Sequence, residues 1–469
     1  MTPEEFRAAG HQLIDWIAGY LEGVEQFPVT APVQPGDIAA LLPTHPPTAT
    51  DGWDAVQADL DRVVVPGLTH WQHPSFFAYV PSNTSYSSIL GELAAAGLGV
   101  NGMLWATSPA ATEIETVMLD WMAELLGLPE RFRSTGTGGG VIQATASEAT
   151  LSAVLAARER ATGGAGNRTG TLGNLVAYSS AQAHSSIEKG LRIAGIGSEN
   201  LRLIPTDEAF ALRPDALAAA IAADRAAGRV PFLVVAAVGS TSSMAVDPVA
   251  AIGAICRSEG LWLHVDAAMA GIAALCPEHR ALLDGLELAD SFCTNPHKWM
   301  TINFDCDLFW VADRAPLIGA LSILPEYLRT AAAETGAVID YRDWGIPLGR
   351  KFRALKLWFT LRLDGVASIQ AMIRRHVELT DWVAAQVAAD ERFELAAPPC
   401  LNLVCLRHVA GDAATDALIN DANATGEALF TRTVLDGRSV LRFVVGARTT
   451  EARHVEAGWA LLGRLAPPA

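Results

Sequence analysis

Seven consecutive residues, Phe232-Leu233-Val234-Val235-Ala236-Ala237-Val238, carry no polar side chain. A run this short and this apolar is expected to be a strand buried on both faces, the setting of a parallel sheet covered by helices. Shorter apolar runs recur at 141–143, 175–178, 261–265, 291–294 and 308–311. Between and before them, helical periodicity marks 86–99, 109–126, 147–161, 214–227 and 249–259. Parallel strands need crossover helices, so this alternation from about residue 85 predicts an α/β domain with a mainly parallel, doubly covered sheet.

The flanks read differently. Thr2-Pro3-Glu4-Glu5 is a helix start in which Thr2 and Glu5 form a capping box. Phe6, Leu13, Trp16, Ile17, Tyr20, Leu21 and Val24 follow at helical spacing, a broad apolar face that needs a partner and is expected to find it on a second subunit. Trp71 to Ser82 is an aromatic block without helical period, read as a pocket wall or an interface. Residues 323–345 show little periodicity and are expected to be a mobile lid. Beyond them come helices at 351–364 and on to about 389, strands at 401–406 and 439–445, and two further helices. The expected division is thus a helical arm over 1–84, a large α/β domain over 85–345 that includes the lid, and a small α+β domain over 346–469.

Composition narrows the chemistry. A formal charge of −17 argues against a nucleic-acid partner. There is no basic run suited to a membrane surface and no apolar stretch long enough to span one. No basic leader precedes an apolar segment. The six cysteines form no C-x-x-C pair and mostly sit in apolar runs. They read as reduced core residues of a cytoplasmic protein, with neither a disulfide frame nor a metal site.

Ligands in open α/β sheets bind outside the carboxyl ends of the strands. Three strand ends here carry polar groups: Gly239-Ser240-Thr241, Asp266, and Asn295-Pro296-His297-Lys298. Pro296 stops the strand and places Lys298 on the loop beyond it, next to Trp299. Desolvation there favours the neutral amine, a nucleophile for a carbonyl. A surface lysine packed on Trp299 is the bland alternative. Ala146-Ser147 opens a helix whose first N–H groups suit a phosphate; the rival reading is an ordinary helix start with Thr145 and Glu148 as a capping box. His184 follows the strand at 175–178 in register to face the same crevice. Phosphate site, carboxylate, lysine amine and imidazole together match the needs of pyridoxal phosphate, with Asp266 paired to the pyridine nitrogen.

These motifs, with His73-Pro74, Gly138-Gly139-Gly140-Val141-Ile142-Gln143, His264-Val265-Asp266-Ala267-Ala268, Asn295-Pro296-His297-Lys298-Trp299 and Ile346-Pro347-Leu348-Gly349-Arg350, resemble the group II pyridoxal-phosphate-dependent decarboxylases of fold type I, and in particular the aromatic-L-amino-acid decarboxylases. The resemblance covers nearly the whole chain. It implies cofactor contacts from Ala146, Ser147, His184, Thr241, Asp266, Ala268, Asn295, His297 and Lys298. Catalytic roles fall to Lys298, His184, Asp266 and Tyr327, the last as proton donor from the lid. Trp71, Tyr79, Val80, Ser82, Asn101, Met103 and Gly349 would line the substrate pocket, Asn101 and Met103 coming from the partner in a homodimer. An aromatic L-amino acid is the implied substrate, and amine plus carbon dioxide the products. Two alternatives share features: an aldehyde-forming enzyme on the same fold, and a nucleotide-dependent oxidoreductase using Gly136 to Gly140. The latter lacks the G-x-G-x-x-G fingerprint. A fold retained without activity is the third, opposed by the presence of Lys298, Asp266, His184 and Tyr327.

Overall fold

A computed structural model describes residues 1–170, 173–323 and 338–468. Its strands, in chain order, are β1 (Phe76–Phe77), β2 (Gly139–Gln143), β3 (Leu175–Ser180), β4 (Leu201–Ile204), β5 (Val230–Ala237), β6 (Trp262–Asp266), β7 (Ser291–Thr294), β8 (Asp307–Val311), β9 (Phe393–Leu395), β10 (Leu403–His408), β11 (Leu429–Leu435) and β12 (Arg438–Val444). The chain forms two compact units.

The larger unit, Ser82–Glu378 with Ala397–Leu403, holds a seven-stranded sheet in the order β2-β8-β7-β6-β5-β3-β4. Pairings from β7 through β6, β5 and β3 to β4 are parallel. Only β8 is reversed, being antiparallel to both neighbours. Strands β3, β6, β7 and β8 are buried at every position, which is why they read as unbroken apolar runs. Each large apolar side chain so buried contributes about 1.5–3 kcal/mol. Helices Ala146–Thr162, Pro214–Ala226 and Val249–Glu259 supply crossovers.

The end of the glycine run is part of the sheet, with Gly136 and Gly138 before it. Gly139 and Gly140 open β2, and a Cβ on Gly140 would lie 2.7 Å from the Trp310 indole on β8. These glycines admit a tryptophan between strands, which leaves nothing of the nucleotide-loop reading.

The smaller unit joins Met1–Pro81, Leu379–Ala396 and Val404–Ala469. Its sheet runs β1-β11-β12-β10-β9 around a core that includes Phe77, Phe430, Phe443 and Leu461. The three-segment division therefore does not coincide with the compact units. The aromatic block supplies β1, which pairs in parallel with β11 through Phe76↔Leu429, so the first 81 residues group with the chain's end. Residues 346–378 group with the large sheet instead. Helix Ala354–Leu363 packs on helix Tyr86–Leu98 so closely that a Cβ on Gly91 would lie 2.6 Å from the Lys356 backbone.

The first helix, Pro3–Gly23, has the expected capping box between Thr2 and Glu5. Leu21 and Val24 are buried, but Phe6 remains 63% exposed. Residues 338–345, the end of the stretch expected to be a lid, are described. Tyr341–Trp344 form a 3-10 turn with Tyr341, Arg342 and Trp344 all buried, because each aromatic ring finds a partner. The Tyr341 hydroxyl meets Thr116 at 2.9 Å, and Asp340 accepts the Trp105 N–H at 2.8 Å. Tyr327 lies outside the described residues.

Candidate active site

Every forward strand of the large sheet ends at one edge, and β8, being reversed, begins there. Gln143 at the end of β2 is directly opposite Asp307 at the start of β8. Asp266 ends β6, and Thr294 ends β7 beside Leu308. This edge is where the sequence placed its polar groups.

Asp266 accepts the Ala268 N–H at 3.0 Å, and the Cys293 thiol approaches the same oxygen at 3.9 Å. Ala268 in turn accepts the Asn295 N–H at 2.9 Å, tying the end of β6 to the loop after β7. That loop continues as a single turn, Pro296–Trp299. Lys298 sits in it, and burial lowers its pKa, with Asp266, Cys293 and Asp307 pulling the other way. Lys298 is half-buried, and the lowered pKa and nearby carboxylates speak against the bland surface-lysine reading.

The Lys298 loop is held through its backbone. Ser82 Oγ donates to the His297 carbonyl at 3.2 Å, and the Asn83 amide donates to the Lys298 carbonyl at 2.9 Å. Asn83 carried no signal in the sequence, because a side chain that caps a distant carbonyl has no local pattern. His297 is buried and accepts the Cys306 N–H at Nδ1, 2.9 Å, with Phe304 against its ring at 4.7 Å. Its observed contacts thus fix the loop.

Burial, with Lys298 adding to it, pushes the His297 pKa down to about 3. The imidazole is neutral in the fold but protonates in the unfolded chain below about 6.5. Its stability contribution is therefore present above pH 6.5 and lost as pH falls toward 3. The unfolding midpoint of the cofactor-free protein should drop between pH 6.5 and 4, His297 contributing up to about 1.4 kcal/mol per pH unit. His297→Asn should flatten that slope in part, since buried His73 and His264 are also lowered, each to about 4. An unaltered slope in the variant would remove His297 from the account.

His184 lies past β3 and remains exposed, with Nδ1 accepting the Ser186 N–H at 3.1 Å. Partial desolvation lowers its pKa; Asp266 opposes the shift while Lys298 and Lys189 reinforce it, which puts His184 within electrostatic reach of Asp266 and Lys298. Thr241, after β5, is exposed.

Helix Ala146–Thr162 begins at the same edge. Thr145 is extended but makes no side-chain cap, so the expected capping box is absent. Glu148 turns back instead to accept the Ala144 N–H at 2.9 Å. The first-turn N–H groups of Ala146 and Ser147 thus receive nothing from Thr145 and remain suited to an anion. Two buried polar atoms at this edge, Gln143 Oε1 and Asn295 Oδ1, have no hydrogen-bond partner among the described residues, while Thr294 Oγ1, also unpaired, faces Gly271 on the other side of the sheet. Buried polar atoms are rarely left unpaired, and a pair at one strand edge marks a ligand site. An uncapped helix start, an amine of lowered pKa, a carboxylate held by a backbone N–H and an imidazole make a donor set that fits pyridoxal phosphate.

The expected substrate wall falls into two groups. Trp71 and Tyr79 belong to the smaller unit, where their rings stack at 5.6 Å and stay partly exposed, with Val80 next in the chain. Ser82, Asn101, Met103 and Gly349 belong to the larger unit. Asn101 Oδ1 accepts the Arg350 N–H at 2.9 Å, and the Met103 carbonyl accepts the Arg342 N–H at 3.0 Å. A Cβ on Gly349 would lie 3.5 Å from the Asn101 amide. The buried Arg350 guanidinium bonds Glu115 and the Ile142 carbonyl, which anchors this segment to β2.

Known proteins resemble this chain over nearly its whole length. The family model for the pyridoxal-dependent decarboxylase conserved domain matches residues 35–409. Tryptophan decarboxylase 2 of Oryza sativa subsp. japonica is 46% identical over 98% of this chain and 94% of its own length. Phenylacetaldehyde synthase of Arabidopsis thaliana is 47% identical over 98% of this chain and 96% of its own. The crystal structure of Oryza sativa TDC with PLP and tryptamine superposes with a TM-score of 0.95 at 41% identity, covering 99% of this chain and 98% of that one. The protein belongs to the pyridoxal-dependent decarboxylase family, and its cofactor is pyridoxal 5′-phosphate.

Proposed function

We propose that this enzyme removes the α-carboxylate of an aromatic L-amino acid, of the tryptophan, tyrosine, phenylalanine or DOPA type, and releases the arylalkylamine and carbon dioxide. The observation that carries the reading is the placement of Asp266 and the Lys298 loop at adjacent strand ends of one sheet edge, within electrostatic reach of His184. The relatives named for tryptophan decarboxylation and phenylacetaldehyde synthesis support the aromatic class.

The bound cofactor supplies an aldehyde carbon and a ring that accepts the electron pair left when carbon dioxide departs. Ala146, Ser147, Thr241 and Asn295 would hold its phosphate. Asp266 would pair with the pyridine nitrogen, His184 would lie over the ring, and Ala268 and His297 would complete the cofactor site around Asp266 and Lys298. Lys298 would supply the amine that anchors the cofactor. Trp71, Tyr79, Val80, Ser82, Asn101, Met103 and Gly349 would set the pocket. The apolar face of helix Pro3–Gly23 supports a homodimer that covers Phe6. Six free cysteines support a cytoplasmic setting. Among the described residues no helix is long and apolar enough to cross a membrane.

A second reading is favoured by the phenylacetaldehyde synthase relative: oxygen-consuming conversion to an aldehyde, ammonia, carbon dioxide and hydrogen peroxide. Product analysis separates the two. With pyridoxal phosphate and a panel of L-tryptophan, L-tyrosine, L-phenylalanine and L-DOPA, amine without peroxide is expected. Tyr327, as donor of the proton to Cα, should be what directs that outcome. Tyr327→Phe should move product toward aldehyde and peroxide. Aldehyde from the parent enzyme would overturn the decarboxylase reading, and amine alone from the variant would remove the proton from Tyr327.

A further inference from the structure

Asp307 is fully buried, and neither carboxylate oxygen has a hydrogen-bond partner among the described residues. An ionised carboxylate in that condition is costly, because nothing replaces its hydration. Its cross-strand partner Gln143 donates to Ser152 of the helix Ala146–Thr162 at 3.0 Å. Directly opposed residues project to the same face, so Asp307 faces the helix whose start forms the anion site. The residue is not used by the decarboxylation scheme above.

The charged groups around it come from several elements: Asp266 at the end of β6, Glu148 on the helix, and Lys298 on the loop after β7. The Cys293 and Cys306 thiols are also near, and burial raises both, leaving them neutral. Three carboxylates meet one ammonium here, though Glu148 is half-buried and also within reach of the Arg353 guanidinium. Asp266 has the Ala268 N–H and Glu148 has the Ala144 N–H to stabilise an anion. Asp307 has none. It is the member that keeps its proton. The electrostatics agree in direction: burial lifts its carboxyl well above the ordinary range, Asp266 and Glu148 add to the rise, and Lys298 opposes it.

A protonated carboxyl is a donor, and the orphan atoms around this edge, Gln143 Oε1 and Asn295 Oδ1, are acceptors. A phosphate entering the same edge is also an acceptor and would be repelled by an ionised Asp307. Resting on the pyridoxal-phosphate reading, we propose that Asp307 is held as the neutral acid and acts as a further cofactor-positioning residue, a hydrogen-bond donor in the phosphate-binding edge. It touches no reacting atom and works by retaining the cofactor and fixing the groups that surround it.

The test compares the parent with Asp307→Asn, which keeps the shape and a donor without a charge, and with Asp307→Ala. Dissociation constants for pyridoxal phosphate would be read from the visible absorbance of bound cofactor. Asp307→Asn should stay within about threefold of the parent, and Asp307→Ala should bind about tenfold more weakly, the loss of one hydrogen bond. Infrared difference spectra of the cofactor-free proteins should show the carbonyl stretch of a protonated carboxylic acid in the parent and not in Asp307→Asn. Thermal unfolding of the same samples at neutral pH should find Asp307→Asn no less stable than the parent, which checks its fold. Equal weakening in both variants, parent affinity in the alanine variant, or no protonated-acid band would each overturn the role of Asp307 and leave the cofactor reading standing. A parent that binds no pyridoxal phosphate would overturn that reading and the inference with it.

Discussion

Lys298→Ala is expected to lower decarboxylation by on the order of 10⁴-fold or more, because the variant loses the amine that would exchange with the substrate. The visible band of bound cofactor should shift or vanish, and borohydride should no longer attach pyridoxal phosphate to the protein. The fold should persist. Ser82 and Asn83 hold the loop through the carbonyls of His297 and Lys298, and neither bond uses the lysine side chain. Near-parent circular dichroism with lost turnover is the expected pair of results. Undiminished steady-state turnover in the variant would sink the assignment of the lysine.

Asp266→Asn should cost about 10²- to 10³-fold in kcat, the scale of removing one preorganised electrostatic stabiliser. The substitution keeps an oxygen for the Ala268 N–H, so the end of β6 should hold its shape. What it removes is the negative charge that favours a protonated ring nitrogen. KM should move far less than kcat, because the interaction matters most once electrons have entered the ring. A kcat unchanged within a factor of three would mean that some other group supplies the charge.

The parts of this fold that were legible are those where burial leaves a one-sided mark on the sequence. Strand β5 and its neighbours are covered on both faces, so their apolar runs are continuous. Strand β4 escaped notice because it lies at the sheet edge, largely half-exposed, with Arg202 paired to Asp224. Strand β11 buries only Phe430 and Leu435 and starts with a partner 353 residues away in sequence, Phe76↔Leu429. The reversal of β8 has no signature, since hydrophobicity does not encode direction. That reversal is why Asp307 went unremarked: an aspartate at the start of a strand belongs to the reaction edge only if the strand runs backward. The site was legible where a proline, a lysine and an aspartate sit at strand ends. It was illegible at Asn83, which acts on a backbone carbonyl more than two hundred residues away. The buried turn Tyr341–Trp344 was misjudged because its aromatics are spaced for neither helix nor strand.

The carbonyl-directed hold on the Lys298 loop has a mechanical meaning. A lysine that must give up its bond and recover it in every cycle needs a fixed base and a free arm. Here the base is fastened at two successive carbonyls and at the Asn295 carbonyl, which accepts the Lys298 N–H at 3.0 Å. The arm carries no such fastening. Letting go therefore redistributes only side-chain rotamers, worth about 1.5–2 kcal/mol of entropy for a lysine, and leaves the backbone where the next capture requires it. The return stroke needs no refolding of the loop, only a swing of four methylenes.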